Sequence, residues 1–192
     1  MRFGSLFRVA ENDTRQPLDT LLKNIGVQHQ RVAGNALSRD QKKQLWDLYE
    51  SNYANDSEKE PLLALIHEEL QHNYQDPRAQ FHFFMHNSHM LLTAKFVEQA
   101  DGSVYFWAFN SDIQFQPYNF GIFVLEKLLD MYRHKDIHGH VLKWKEYLLR
   151  YYKRYGFEPI KNPDGSLKIE LENWVESYIL SRPAQMPLKL VA

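Results

Sequence analysis

Residues 104–157 constrain the fold most, because two β-rich runs and two amphipathic helices alternate within them. The first run, residues 104–115, is aromatic and is followed by a turn rich in proline, asparagine and glycine. A helix with apolar residues at helical spacing begins directly after that turn. A second strand is predicted at residues 138–144 and a second helix at residues 145–155, which stops before Gly156. This order predicts strands that belong to one sheet and helices that pack against it.

The loop between Phe115 and Ile122 is the part of this stretch where a ligand could bind. A helix that begins directly after a strand directs unpaired N–H groups and the positive end of its dipole beyond the strand end. A phosphate or pyrophosphate fits such a place if the backbone can come close, which usually requires glycine. Gly121 is the glycine of this loop.

The chain before this stretch contains one predicted strand, two helices and two further strands. Residues 1–26 are predicted to be an N-terminal extension, and residues 27–32 alternate in the manner of a strand. Two capping boxes, which begin at Ser38 and Ser57, predict the starts of two consecutive helices. Two β-rich runs follow within residues 80–99, and hairpin turns join them to each other and to the aromatic run.

The chain after Gly156 is predicted to form a hairpin and then a helix. The hairpin lies within residues 157–171 around an Asn-Pro-Asp-Gly turn, and the helix lies at residues 173–180. We therefore expect an extension (1–26), one domain (27–172), and a C-terminal helix and tail (173–192). The order of elements predicts a mixed α/β fold with a central, mostly antiparallel sheet of about seven strands, flanked by helices.

Composition narrows the functional classes. The chain has 192 residues, enough for one full-sized domain, and 14% of them are aromatic. A net charge of -1 gives no field that would attract nucleic acid. Because the chain has no cysteine, disulfides, thiolate nucleophiles and thiolate metal sites are excluded. No apolar run approaches the ~18 residues of a membrane span, so we expect a cytoplasmic protein with neither a membrane nor a nucleic-acid partner.

The end of the second helix resembles the GNAT superfamily of acyl-CoA-dependent N-acyltransferases. The last helix of that family typically closes with Phe-Tyr-x-x-x-Gly-Phe. Tyr151, Tyr152, Gly156 and Phe157 match this pattern. The resemblance covers roughly residues 27–172, and it implies the GNAT fold.

The cofactor loop of that family, Gln/Arg-x-x-Gly-x-Gly/Ala, has a degenerate counterpart here. Gly121 matches, whereas Tyr118 stands in place of Gln or Arg, and Phe123 stands in place of a small residue. The resemblance implies that acetyl-CoA or another acyl-CoA is the co-substrate. It also implies that the acyl group moves to an amine on a small molecule or a peptide, by direct attack through a tetrahedral intermediate. The implied contacts to the cofactor are Phe115, Gln116, Tyr118, Asn119, Phe120, Gly121 and Ile122.

The resemblance also implies two catalytic residues. Tyr152 occupies the position that in many family members protonates the departing thiolate. Asp112, near the mouth of the loop, is the candidate general base. The simpler interpretation of Tyr152 is a packing residue of an amphipathic helix, and that of Asp112 is a bulge or a strand end.

Two other functions stay open at this point. One is a GNAT-fold module that binds or regulates without catalysis, and the other is a metal-dependent hydrolase that uses some of the nine histidines. His67 and His72 lie five positions apart, which separates them by about 140° around a helix and keeps them from sharing a metal. His138 and His140 share one strand face, but a surface or packing role is the simpler expectation, and no metal is predicted. A homodimer is one option for the assembly.

Overall fold

The computed structural model describes residues 26–56, 59–112, 120–172 and 175–185. The strands within these residues are β1 (Gln28–Ala33), β2 (Ala79–His86), β3 (His89–Glu98), β4 (Val104–Ser111), β5 (Ile137–Leu142), β6 (Glu158–Pro159), β7 (Ile169–Glu172) and β8 (Val175–Arg182). The helices are α1 (Arg39–Tyr53), α2 (Lys59–Asn73), α3 (Phe120–Met131) and α4 (Tyr147–Lys153), with short 3₁₀ turns at Gly34–Ala36 and Lys143–Lys145. No helix in this part of the chain is long and apolar enough to cross a membrane.

The eight strands form one sheet in the order β1-β2-β3-β4-β5-β8-β6, and β7 also pairs with β8. Neighbouring strands are antiparallel, except that β4 and β5 are parallel. The chain reaches β5 from β4 through α3, as a parallel connection requires. The predicted mixed α/β fold with a mostly antiparallel sheet is therefore confirmed.

The predicted C-terminal helix at residues 173–180 is wrong, because β8 (Val175–Arg182) occupies this part of the chain. β8 pairs with β5 on one side and with β6 and β7 on the other, which makes it an internal strand and accounts for an eighth strand. Its continuous apolar run is only Tyr178, Ile179 and Leu180, which is too short for periodicity to distinguish a strand from a helix.

The start of α1 agrees with its predicted capping box. Ser38 Oγ accepts a hydrogen bond from the Gln41 backbone N–H at 3.1 Å, and Gln41 Oε1 accepts one from the Ser38 N–H at 3.0 Å. The box predicted at Ser57 lies outside the described residues. The predicted second helix is shorter than expected, because the 3₁₀ turn Lys143–Lys145 precedes α4.

The hydrophobic core has one layer on each face of the sheet. Helix α3 packs on one face, where Val124, Leu125, Leu128 and Leu129 join Phe84, Phe96, Phe106 and Phe157, with Leu148, Leu149, Tyr151 and Tyr152 of α4 against them. Helices α1 and α2 pack on the other face, where Leu45, Leu48, Tyr49, Leu62, Ile66 and Leu70 join Phe81, Phe83 and Val175. Burial of these side chains supplies the main driving force for folding, at about 25 cal/mol per Å² of apolar surface.

The turn after β1 packs closely against the end of α2. A Cβ added to Gly34 would lie 1.8 Å from the carbonyl oxygen of Asn73, at the end of α2. We expect Gly34→Ala to lower the free energy of unfolding by about 3 kcal/mol, because backbone must move to relieve the overlap. Urea denaturation measures this change. Gly102→Ala is the control, since its φ of +83° adds only backbone strain and nothing lies within 4 Å of the new Cβ. Equal stability of the two variants would contradict the close approach.

His82 is a fully buried polar residue in the layer beneath α3. Its Nδ1 lies 2.9 Å from His29 Nε2, and its Nε2 lies 3.0 Å from the Tyr132 hydroxyl. Burial, with smaller contributions from the neighbouring His29 and Arg31, lowers the pKa of His82 to about 3. The imidazole is therefore neutral in the folded protein.

The protein should become less stable as the pH is lowered, because His82 has an ordinary pKa of about 6.5 in the unfolded chain. Below that pH the unfolded chain binds a proton that the folded chain does not, so stability is lost as the pH falls from 6.5 towards 3. The expected contribution to the free energy of unfolding is about 1.4 kcal/mol per pH unit. Urea denaturation between pH 6.5 and 5 measures this contribution, because most carboxylates titrate at lower pH. An unchanged slope in His82→Gln would contradict this assignment.

Candidate functional site

A crevice opens in the sheet between β4 and β5, the parallel pair. The two strands pair only from Val104 opposite Ile137 to Phe106 opposite Gly139, although both continue beyond these residues. β5 instead keeps its pairing with β8 along its whole length. The strands therefore separate towards their carboxyl ends, and their facing edges present backbone N–H and C=O groups that no strand pairs in this part of the described chain.

A β-bulge in β4 lies beside the crevice. Thr93 of β3 is opposite Asn110, whereas Lys95 is opposite Trp107, so β4 accommodates one extra residue. A bulge bends its strand and increases the local twist. The bend follows the last paired residue of β4, Phe106, and thus contributes to the separation of β4 from β5.

A cavity of about 110 Å³ lies at this crevice. Tyr49 of α1, Ile66 of α2 and Tyr152 of α4 all line it. Because α4 packs on the opposite face of the sheet from α1 and α2, the cavity passes through the sheet where β4 and β5 have separated. Its other lining residues are Tyr53, Leu62, Leu65, Glu69, Tyr105, Trp107, Phe109, Asn110, His140, Val141, Leu142, Lys145, Leu148, Glu170, Glu172, Val175 and Ser177.

A buried ion pair holds one wall of the cavity. Lys95 of β3 is fully buried, and its Nζ donates a hydrogen bond of 2.5 Å to Glu69 Oε1. The same Nζ lies 4.2 Å from the centre of the Trp107 ring. Burial lowers the pKa of Lys95, and the Glu69 carboxylate opposes that change. The pair therefore fixes the Glu69 carboxylate at the cavity, and the positive charge of Lys95 offsets the negative charge of the carboxylate.

Two further carboxylates, Glu170 and Glu172 of β7, give the cavity an excess of negative charge. Lys145, the lysine that lines the cavity, has its Nζ 2.9 Å from Asp56 Oδ2, so its charge is offset. Lys168 Nζ lies 3.8 Å from Glu170 Oε1, and both side chains are nearly half exposed, where solvent weakens the attraction. The cavity therefore favours a cationic ligand.

Two buried polar groups of the cavity lack good hydrogen bonds within the described residues. They are the Tyr49 hydroxyl and Nδ2 of Asn110. Burial raises the pKa of Tyr49 well above its ordinary value and that of Tyr53 to about 12, and the nearby Asn110 lowers both to a smaller extent. Buried polar groups are normally paired, so this arrangement is consistent with a polar ligand in the cavity.

Tyr152 reaches the cavity from below the sheet. Its ring packs edge-on against Phe106 and Phe157, at centroid distances of 6.3 and 5.7 Å. Burial raises the pKa of Tyr152 well above its ordinary value, and Tyr53 and Tyr155 raise it further. The hydroxyl is therefore protonated at neutral pH and available as a proton donor.

His140 lies on the opposite wall, on β5. The Tyr105 hydroxyl is 3.2 Å from its Nδ1, and Glu170 Oε2 is 3.3 Å from its Nε2. Burial lowers the pKa of His140, while Glu170 acts in the opposite direction. A neutral imidazole in this position accepts at one nitrogen and donates at the other.

The chain superposes on several solved structures of acetyltransferases. No family model and no curated protein sequence matches the chain. An acetyltransferase from Streptococcus agalactiae superposes with a TM-score of 0.61 at 14% identity, over 82% of this chain and 98% of that one. A putative GNAT-family acetyltransferase from Desulfovibrio desulfuricans gives 0.59 at 15% identity, over 83% and 99%. A GNAT-family acetyltransferase from Staphylococcus aureus gives 0.57 at 18% identity, over 82% and 100%.

The chain has the GNAT fold. These identities are too low to carry an activity from one protein to another, so the superpositions establish the architecture alone. The fold predicted from the end of the second helix is confirmed.

Of the two predicted catalytic residues in this GNAT fold, Tyr152 lines the cavity and Asp112 does not. Asp112 follows the last residue of β4, and its Oδ2 lies 2.7 Å from His89 Nε2. Its backbone N–H donates to the Leu91 carbonyl at 2.8 Å. The catalytic roles of both residues stay predictions.

The predicted cofactor loop falls mainly on residues that the structure does not describe. Phe115, Gln116, Tyr118 and Asn119 lie outside the described residues, as do the side chains of Phe120, Ile122 and Phe123. Helix α3 begins at Phe120, and a Cβ added to Gly121 would lie 3.4 Å from the Phe109 ring. Gly121 thus packs closely against β4, and the backbone contacts to a cofactor stay predictions.

Several cavity residues were not singled out from the sequence as site residues. His140 was interpreted as a surface or packing histidine, and Glu69, Asn110, Glu170 and Glu172 were not assigned. Glu170 and Glu172 alternate with Ile169 and Leu171 on β7, which is a signal for one polar strand face. The described residues contain no group of three or more histidine or carboxylate side chains that could hold a metal.

The Lys95–Glu69 pair gives a test of how this wall is built. Lys95→Met should lower the free energy of unfolding by about 3 kcal/mol, because it leaves the Glu69 carboxylate without its buried partner. Adding Glu69→Leu should restore most of that loss, since an apolar pair of similar volume replaces the ion pair. Denaturant unfolding of the two single variants and the double variant measures the coupling. Additive losses would contradict a direct interaction between these two side chains.

Proposed function

We propose that this protein is an N-acyltransferase that moves an acetyl or other acyl group from acyl-CoA to an amine. The observation that carries the proposal is the cavity that passes through the sheet between β4 and β5 and is lined from both faces. Such a passage lets a thioester and an amine approach from opposite sides and meet. Several solved structures with the same fold are those of acetyltransferases, which is consistent with this activity.

The crevice suits the pantetheine arm of acyl-CoA. That arm is a narrow chain with two amide groups, and the separated edges of β4 and β5 offer backbone N–H and C=O groups to such amides. The start of α3 follows β4 along the chain, where a helix N-terminus favours phosphate groups. In the proposal the backbone N–H groups of residues 115–122 hold the pyrophosphate.

The acceptor in this proposal is a small amine that arrives as a cation. The cavity volume of about 110 Å³ suits a small molecule or the end of one side chain. Glu170 and Glu172 line the cavity and attract its positive charge. A cation also offers hydrogen-bond donors to the Tyr49 hydroxyl, which lacks a partner of good geometry among the described residues.

The reaction needs no covalent enzyme intermediate. The deprotonated amine attacks the thioester carbonyl carbon, a C–N bond forms, and the C–S bond breaks. Tyr152 gives its hydroxyl proton to the departing thiolate and regains one as the nitrogen loses its remaining excess proton. Asp112 is the base predicted from the family resemblance, although its carboxylate contacts His89.

Binding of acetyl-CoA tests the first half of this proposal. At a concentration about a hundredfold above its dissociation constant, acetyl-CoA should stabilise the protein by about 2.7 kcal/mol, and the melting temperature should rise accordingly. Transfer is followed as free thiol released with tyramine, 1,4-diaminobutane or lysine as the acceptor. Stabilisation without thiol release would favour a non-catalytic binding module, and no stabilisation by any acyl-CoA would contradict the proposal.

Replacement of Tyr152 tests its role as the acid. Tyr152→Phe should lower kcat for acetyl transfer by about 10²-fold, since the thiolate must leave without a proton, while stabilisation by acetyl-CoA is retained. Tyr147→Phe is the matched control, because Tyr147 lies on the same helix and is 68% exposed. Equal kcat values for the two variants would remove Tyr152 from the reaction.

A further inference from the structure

We propose that Tyr105, His140 and Glu170 form a proton path that carries the acceptor's ammonium proton from the cavity to solvent. This inference rests on the proposed transferase function and names the base that the function requires. It assigns that role to residues of β4, β5 and β7 instead of Asp112.

The three side chains form a continuous chain of contacts. The Tyr105 hydroxyl lies 3.2 Å from His140 Nδ1, and His140 Nε2 lies 3.3 Å from Glu170 Oε2. All three residues line the cavity. Exposure increases along the chain, since the His140 side chain is 22% exposed and that of Glu170 is 46% exposed. The path therefore connects the cavity with water.

The path requires one particular tautomer of His140, with the proton on Nε2. In the proposed path Nε2 carries the proton and directs it to the Glu170 carboxylate 3.3 Å away, so that the Nδ1 lone pair accepts from the Tyr105 hydroxyl at 3.2 Å. The ring of Tyr105 lies edge-on to the imidazole at a centroid distance of 5.3 Å, which keeps both in place. A neutral imidazole in this tautomer is ready to take a proton from Tyr105.

Charged groups surround His140 on several sides. Glu69 approaches from α2, Glu170 and Glu172 from β7, and Lys168 from the residue before β7. Burial lowers the pKa of His140, the three carboxylates raise it, and Lys168 lowers it. Burial has the largest effect, so the imidazole is free to accept a proton at neutral pH.

The protons balance without any further reactant. The ammonium nitrogen gives a proton to the Tyr105 oxygen, and the Tyr105 hydroxyl proton moves to His140 Nδ1. The resulting imidazolium is stabilised by the Glu170 carboxylate and loses its Nε2 proton through that carboxylate to water. The amine is then neutral and attacks the thioester. After the product leaves, water returns a proton to Nε2 through Glu170, and the Nδ1 proton passes through the Tyr105 hydroxyl to water in the open cavity, which restores the starting tautomer.

The test compares kcat/KM for acetyl transfer against pH in the whole protein, with tyramine and 1,4-diaminobutane as acceptors. In the wild type we expect kcat/KM to fall on the acidic side of the profile, because His140 is then an imidazolium and cannot accept a proton. This fall is the acidic limb. His140→Gln should lower kcat/KM by about 10²-fold or more and abolish this limb. Glu170→Gln should move the limb to lower pH, because the carboxylate that raises the pKa of His140 is gone.

One variant is a control, and another distinguishes the two candidate bases. His138→Gln changes a histidine of the same strand that does not line the cavity, and its profile should match that of the wild type. Asp112→Asn should keep the acidic limb. A limb that persists in His140→Gln and disappears in Asp112→Asn would overturn the proton path while leaving the transferase function in place.

A second measurement does not depend on the acceptor. Nitrogen-15 NMR of the histidine rings should find His140 neutral at pH 7 with the proton on Nε2, and Tyr105→Phe should shift the Nδ1 resonance. A protonated ring, or a proton on Nδ1, would overturn the path whether or not an acceptor reacts. Absence of transfer to any amine, together with absence of acetyl-CoA binding, would overturn the proposed function and the path with it.

Discussion

The separation of β4 from β5 is the constraint on which the rest of the site depends. Parallel strands are held by evenly spaced hydrogen bonds, and here these end at Phe106 and Gly139. Beyond that point β5 follows β8, while the bulge opposite Thr93 and Lys95 bends β4. A sheet closed along its whole length would keep the helices on its two faces apart. The opening brings Tyr152 from one face and Tyr49 from the other to a single cavity.

Apolar packing on both faces holds this opening in place. The layer beneath α3 and α4 anchors Phe106 and Phe157, against which the Tyr152 ring packs. The layer beneath α1 and α2 presents Tyr49 and Tyr53 to the other side of the cavity. Because protein interiors are densely packed, these rings are held in defined positions. Burial also keeps their hydroxyls protonated, which suits them to donate protons rather than to act as anions.

The charged groups around the cavity differ in burial as well as in their partners. Lys95 is buried, pairs with Glu69 and fixes the position of its carboxylate, whereas Glu170 reaches towards solvent. His140 lies between the buried and exposed regions, in contact with Tyr105 on one side and Glu170 on the other. The result is a cavity that attracts a cation at its rim and holds neutral, hydrogen-bonding groups in its interior.

The order of elements, the helix start at Ser38 and the GNAT fold could be predicted from local patterns, since capping, hairpin turns and side-chain periodicity act over a few residues. The same patterns failed at residues 173–180, because β8 is a strand by virtue of its pairing with β5, β6 and β7, and its short apolar run does not distinguish a strand from a helix. They also could not bring His140 together with Tyr105 and Glu170, which lie on three different strands. Outside residues 173–180, the sequence by itself determined which segments become helices and strands, and that Tyr152 lies near the end of the helix typical of the fold. Only the tertiary structure decided which polar side chains share a cavity, because strand register and the point where β4 leaves β5 depend on contacts between distant parts of the chain.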